Sequence, residues 1–160
     1  MTSIDALQRI VARALTALGI TLIPVLALTA FALGRSPWAT GAIATMLAAA
    51  PLVTMMLRRP LTVVAYALAV TLIGQTSLLV FTFEGHPWQV EMHFYYFVML
   101  ALLLGFCDWG VLVAAAALIA LHHLTLNTFL SEAVFPGGTD YFRVVVHAVA
   151  VVIETALLIG

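Results

Sequence analysis

The residues able to do chemistry in this chain fall in three short pieces: Glu91-Met-His-Phe-Tyr-Tyr-Phe97, His122-His123-Leu-Thr-Leu-Asn127, and His147. Four of the five histidines lie in them. Neutral imidazole binds zinc, copper and iron. Imidazoles projecting from neighbouring helices are also how a helical bundle holds a haem. The pattern points to a metal centre with His93, His123 and His147 as ligands. His122 is the alternative to its neighbour. Glu91 and Asn127 are candidates to orient the imidazoles. Met92 and Tyr96 share a side of their helix near His93, and Glu154 lies seven residues beyond His147 on the same helical face. The fifth histidine, His86, lies in a loop and reads as a structural hydrogen-bonding group. No Gly-rich phosphate loop, paired-Cys zinc motif or Gly-x-Ser-x-Gly elbow is present, so no catalytic residues are assigned.

Composition decides what must position these groups. Of the 160 residues, 64% are hydrophobic and 8% charged, with a mean hydropathy of +1.17. A soluble domain carries about 25% charged residues. The chain is therefore read as an integral membrane protein of the all-α class, a six-transmembrane-helix bundle forming one domain over residues 1–160. A crossing needs about 20 apolar residues. Such runs fall at about 14–33, 38–57, 61–83, 90–106, 111–130 and 141–160, with Pro24 and Pro51 inside the first two. An amphipathic turn or two precedes the first span. That span's apolar run is longer than the core of a signal peptide. Net charge is −1 with no basic run, which excludes nucleic acid as a partner. The lone Cys107 has no internal disulfide partner.

Arg9, Arg13, Arg58 and Arg59 fall on one side of the membrane and Arg35 and Arg143 on the other. This predicts cytoplasmic N- and C-termini in a bacterial inner membrane. The histidine pieces then lie toward the outer face. Counted from the drawn span ends, His93 is about 4–5 Å deep, and His123 and His147 about 9–10 Å deep. An ionisable group in hydrocarbon is costly unless it is paired or used. On the fifth span Ala116, Ala120, His123 and Asn127 share one face, leaving room beneath the imidazole for a flat ligand. That face gives b-type haem a slight preference over copper, and His123 with His147, at matched depth, is the better axial pair. Asp108 is expected to cap the fifth span.

Glu91-Met-His-Phe, Phe106-Cys-Asp-Trp109, Ala120-Leu-His-His-Leu-Thr-Leu-Asn127, Val134-Phe-Pro-Gly-Gly138, and Arg143-Val-Val-Val-His147 with Glu154 form a combination of stretches. Together they resemble the membrane-embedded input region of alphaproteobacterial chemoreceptor-like, methyl-accepting proteins and diguanylate cyclases. The resemblance covers about residues 88–155 and extends to the first three spans only in general character. It implies a sensory domain that relays redox, gas or metal status to a cytoplasmic signalling output domain lying outside this sequence. It also implies a homodimer. The chain ends within its sixth span, as an excised sensor module would. A narrower likeness, Met92-His93-Phe94 with Met99, is to MHYT-type sensory membrane domains, for which metal binding has been proposed. Two other functions use the same residues. One is a small membrane cytochrome-like oxidoreductase. The other is a transporter or proton pathway lined by Glu154, Gln75 and the histidines.

Overall fold

The computed structural model describes residues 3–160, and among them every regular element is helical. Six long helices cross the apolar layer. α1 is Ser3–Ala32, α2 Pro37–Met56 and α3 Leu61–Thr82. The fourth crossing, Pro87–Phe106, is composite: 3-10 turns Pro87–Gln89 and Glu91–His93, then α4, Phe94–Leu103, and a closing 3-10 turn Leu104–Phe106. α5 is Trp109–Phe129 and α6 is Tyr141–Ile159. All six crossings are long and apolar enough to span a bilayer, so the chain is a multi-pass membrane protein. Apart from the first, the observed ends lie within three residues of the expected ones.

The first helix differs because nothing separates the amphipathic start from the span. No Gly or Pro interrupts residues 3–18, and one 30-residue helix results. At 1.5 Å per residue it is about 45 Å long, more than the roughly 30 Å hydrocarbon layer. Pro24 and Pro51 lie inside α1 and α2, and both helices continue through them.

α3 is the central post, with Leu68, Leu72 and Val80 fully enclosed. Gln75, in its middle, donates through Nε2 to the Gly19 carbonyl of α1 (2.9 Å) and the Ala44 carbonyl of α2 (3.2 Å). Thr71 adds a bond to the Leu47 carbonyl of α2 (2.8 Å). In hydrocarbon, side-chain bonds to a neighbouring helix's backbone replace water that is absent. They lock α1, α2 and α3 together. On its other side α3 meets α4 and α5 through a core that includes Tyr96, Leu100, Leu112 and Ile119. α6 packs mainly on α5 and is the least enclosed crossing: 17% of its apolar window is buried, against 61% for α3.

The connections 33–36, 83–86 and 130–140 gather at one end, the histidine end. There the Arg35 guanidinium bonds the Glu84 carboxylate (3.0 Å) and the Glu84 carbonyl (2.6 Å), tying the α1–α2 turn to the end of α3. At the opposite end Cys107 takes the left-handed conformation that ends the fourth crossing (φ 50°). Asp108 then caps α5 as expected, accepting from the Gly110 amide at 2.9 Å.

Candidate metal centre

Three imidazoles from three crossings meet near the histidine end. The ring centroids of His93 and His123 are 5.2 Å apart, those of His93 and His147 5.1 Å, and those of His123 and His147 5.5 Å. His93 and His123 are only 3% and 2% exposed, and His147 is half-buried. His93 is thus a full member of the cluster, not a shallow outlier. The depth count misplaced it because the crossing begins at Pro87 and enters through 3-10 turns. Such turns advance about 2.0 Å per residue instead of 1.5 Å. The same steps therefore carry His93 further in, level with its partners.

Each ring is held by the same device. Nδ1 of His123 lies 2.8 Å from the Ile119 carbonyl, and Nδ1 of His147 lies 2.8 Å from the Arg143 carbonyl. Nδ1 of His93 lies 3.1 and 3.2 Å from the Gln89 and Val90 carbonyls. A carbonyl can only accept, so each Nδ1 carries the hydrogen and each neutral ring keeps its lone pair on Nε2. In His93 and His123 that Nε2 is buried and has no partner. A buried acceptor left unmatched costs about 1–3 kcal/mol, and two side by side call for an explanation.

Ring spacing bears on what would satisfy them. With metal–nitrogen bonds of about 2.0–2.1 Å, three imidazoles at tetrahedral angles have centroids about 5.2 Å apart, and two on opposite sides of a metal about 6.4 Å apart. The three observed spacings match the first figure. Among the described residues no group of three His, Cys, Asp or Glu side chains could hold a metal ion as the side chains stand. The match is one of ring spacing and not of converging nitrogens.

His122 is separate. Its ring meets His123 (5.3 Å) and Tyr96 (6.1 Å) but neither His93 nor His147, and its Nδ1 has no carbonyl partner. Its Nε2 is also buried and unpartnered. One residue along an α-helix is a turn of about 100°, which sends it to another face of α5.

The other candidates divide. The Tyr96 ring packs against His123 at 5.3 Å and His93 at 6.0 Å, while its hydroxyl donates to Ser77 of α3 (3.0 Å). Asn127 is fully buried. Its Oδ1 accepts from the Asp140 amide (2.8 Å), joining the end of α5 to the start of α6. Met92 packs against the main core. Glu91 is exposed and bonds no imidazole, because backbone carbonyls orient the rings instead. Glu154 lies two turns along α6 from His147, with one carboxyl oxygen buried and unpartnered. His86 stays outside the cluster, with Nδ1 accepting from the Trp88 amide at 3.1 Å.

Two further residues shape the site. Phe135 is fully buried although it lies in a connection. It stacks on His93 (5.4 Å, 7°) and touches His147 (5.2 Å) and His123 (5.9 Å). The Arg143 guanidinium lies 6.0 Å from its ring centroid and bonds the Pro136 carbonyl (3.1 Å). Phe135 closes the cluster from the loop side. Gln89, also fully buried, donates to the Glu132 carbonyl (2.8 Å) and accepts from the Gly85 amide (3.2 Å). It thereby clamps together the two loops that carry His93 and Phe135. The signal for Phe135 was an apolar Val134-Phe135 pair inside an otherwise polar connection.

Comparison with protein-family models, with curated proteins and with solved structures finds no match for this chain.

Proposed function

We propose that this chain is a membrane-embedded metal-binding domain of the sensory, input type, whose centre is a single ion held by Nε2 of His93, His123 and His147. The observation that carries the reading is the imidazole triangle: 5.1, 5.2 and 5.5 Å between rings, with every Nδ1 committed to a carbonyl. The spacing favours one ion over a bis-histidine haem. A trans pair needs about 6.4 Å between centroids. The third imidazole and Phe135 also crowd the cluster, where a macrocycle would need an open slot. Imidazole ligands suit copper.

As a sensor, the domain would turn occupancy into movement. Drawing three nitrogens onto one ion pulls α6, through His147, toward the crossings that carry His93 and His123. α6 would pass that small shift to an output on the far side of the membrane.

The test is an absorption spectrum and metal analysis of purified protein, followed by titration with copper(I) against a chromophoric chelator. One equivalent of copper, lost in His93→Ala, His123→Ala and His147→Ala, is expected, with no Soret band. A Soret band lost in His147→Ala would replace the ion with haem. No metal, no haem and no uptake of copper or zinc would sink the reading.

A further inference from the structure

A pocket of about 520 Å³ lies at the end of the bundle opposite the histidines. Arg9 and Arg13 of α1 and Arg58 and Arg59 of the α2–α3 turn line it, together with the buried Ala12 and Val64. All four arginines are exposed. The chain's six arginines thus divide. Arg35 and Arg143, at the histidine end, each have a carboxylate beside them, Glu84 and Asp140. The pocket gathers the other four, and among the described residues no Asp or Glu shares its lining. A charge bias that only oriented the chain in the membrane would need no shared concavity.

We propose that this pocket binds the phosphate of an anionic phospholipid, gripped by arginines from α1 and from the α2–α3 turn. Three observations select that occupant. The first is chemistry. A guanidinium fork matches phosphate oxygens bidentately, and four of them around a lining without a carboxylate leave positive charge to be met. The second is depth. The hydrocarbon layer, roughly 30 Å thick, takes about 20 residues of helix. Counted back from Ala32, the end of α1, that stretch stops at Arg13. Arg9 then lies about 6 Å outside it, within a head-group layer about 5–7 Å thick. Lipid phosphates occupy that layer, and Met55 and Leu61, also in the lining, give the acyl chains an apolar wall. A free phosphate has no use for such a wall. The third is the backbone. Arg58 is left-handed, with φ 52°. Its amide bonds the Met55 carbonyl (3.0 Å) and the Arg59 amide bonds the Thr54 carbonyl (3.0 Å), the Schellman closure of α2. Glycine suits that position best, because a Cβ is strained there. An arginine held there in spite of the strain gives up some stability and places a guanidinium at the pocket. A lipid so held ties the start of α1 to the α2–α3 turn. It does so independently of any ion at the imidazoles, which lie at the other end of the bundle.

The experiment titrates the full chain in a neutral detergent with dioleoylphosphatidylglycerol and follows bound lipid by native mass spectrometry. A single saturable lipid is expected, bound about tenfold more tightly than dioleoylphosphatidylcholine, which carries the same chains without net charge. Arg58→Gly removes one guanidinium and relieves the left-handed backbone. It should weaken binding about fivefold, with an unfolding temperature in lipid-free detergent no lower than the parent's. Arg9→Gln combined with Arg13→Gln keeps good helix formers at exposed positions. That pair should weaken binding about thirtyfold. Arg35→Gln makes the same change of charge as Arg58→Gly at the other end of the bundle and should bind lipid like the parent. Equal binding of the two lipids, several lipids of equal affinity, or an Arg58→Gly protein that binds like the parent would overturn the proposal. So would an equal loss in Arg35→Gln, which would make the attraction one of overall charge. Displacement of the lipid by millimolar inorganic phosphate, but not by chloride of equal ionic strength, would overturn it too, since the pocket would then serve a free anion.

Discussion

Gln89→Ala tests whether the loop clamp sets the metal affinity. The side chain makes two hydrogen bonds, to the Glu132 carbonyl at 2.8 Å and from the Gly85 amide at 3.2 Å, while its own carbonyl holds Nδ1 of His93. Glu132 and Gly85 belong to exposed parts of their loops, so water can reach the groups left behind. Each bond is then worth its net value of about 0.5–1.5 kcal/mol. Together they contribute about 2 kcal/mol. If that is spent in holding His93 where an ion needs it, copper(I) affinity falls about thirtyfold. A change of that size matches the tenfold to hundredfold effect of groups that orient a ligand. The assay is chelator competition on Gln89→Ala, Gln89→Glu and His93→Ala side by side, with thermal unfolding as the measure of fold. Gln89→Glu keeps the acceptor for Gly85 and loses the donor to Glu132, so it should fall between parent and alanine variant. An affinity within threefold of the parent in a folded Gln89→Ala protein would refute the clamp. A loss as complete as that of His93→Ala would show that the backbone, not the side-chain bonds, had been lost.

The two adjacent histidines should behave differently: His123→Ala abolishes copper uptake and His122→Ala leaves it within a few-fold, and the reverse order would place the ion on the other face of α5. Gln75→Leu removes two interhelical bonds, each worth about 0.6–2 kcal/mol inside a membrane. It should lower the unfolding temperature in detergent with copper stoichiometry unchanged. Arg35→Ala breaks a pair whose side chains are 37% and 28% exposed. Screening limits the ionic part to about 1 kcal/mol or less, so a small fall in unfolding temperature and no change in copper affinity are expected. Asp140→Ala removes the side chain that caps α6 by accepting from the Arg143 amide at 3.0 Å. About 1 kcal/mol of helix stability is at stake, visible as faster hydrogen exchange of amides 141–144.

The six crossings were legible because hydropathy alone identifies a span, and the turns at Gly34, Arg58-Arg59-Pro60 and Cys107-Asp108 punctuate them. The composite entry at Pro87–His93 was not. Its polar and aromatic residues read as a connection giving way to a span near Val90, whereas the start at Pro87 and the longer rise of the 3-10 turns bring His93 level with His123 and His147. That three histidines belong together followed from crowding polar groups into one end of an apolar chain. Which nitrogen each presents did not follow, because the carbonyl bonds that fix the tautomers depend on rotamers that sequence does not encode. Glu91 drew attention as a carboxylate beside a histidine, yet it faces outward, and the carbonyls one helical turn earlier do the orienting. Phe135 and Gln89 depend on two connections folding over each other, a contact between residues 43 apart. No local pattern announces it.

α6 is where binding and movement would meet. It is the least enclosed crossing; its hydrogen bonds to the rest of the chain lie at the histidine end, while Val151 and Leu158 pack on the main core further along. Asn127 fixes its cap, Arg143 reaches the Pro136 carbonyl beside Phe135, and His147 joins the triangle. Beyond His147 it packs on α5 and meets the main core through Val151 and Leu158. An ion that tightened the triangle would draw α6 toward the crossings that carry His93 and His123. A spin-label pair on the fourth crossing and α6 would show it, as a distance that shortens when copper is bound. A distance that copper leaves unchanged would mean that the ion does not move the helix.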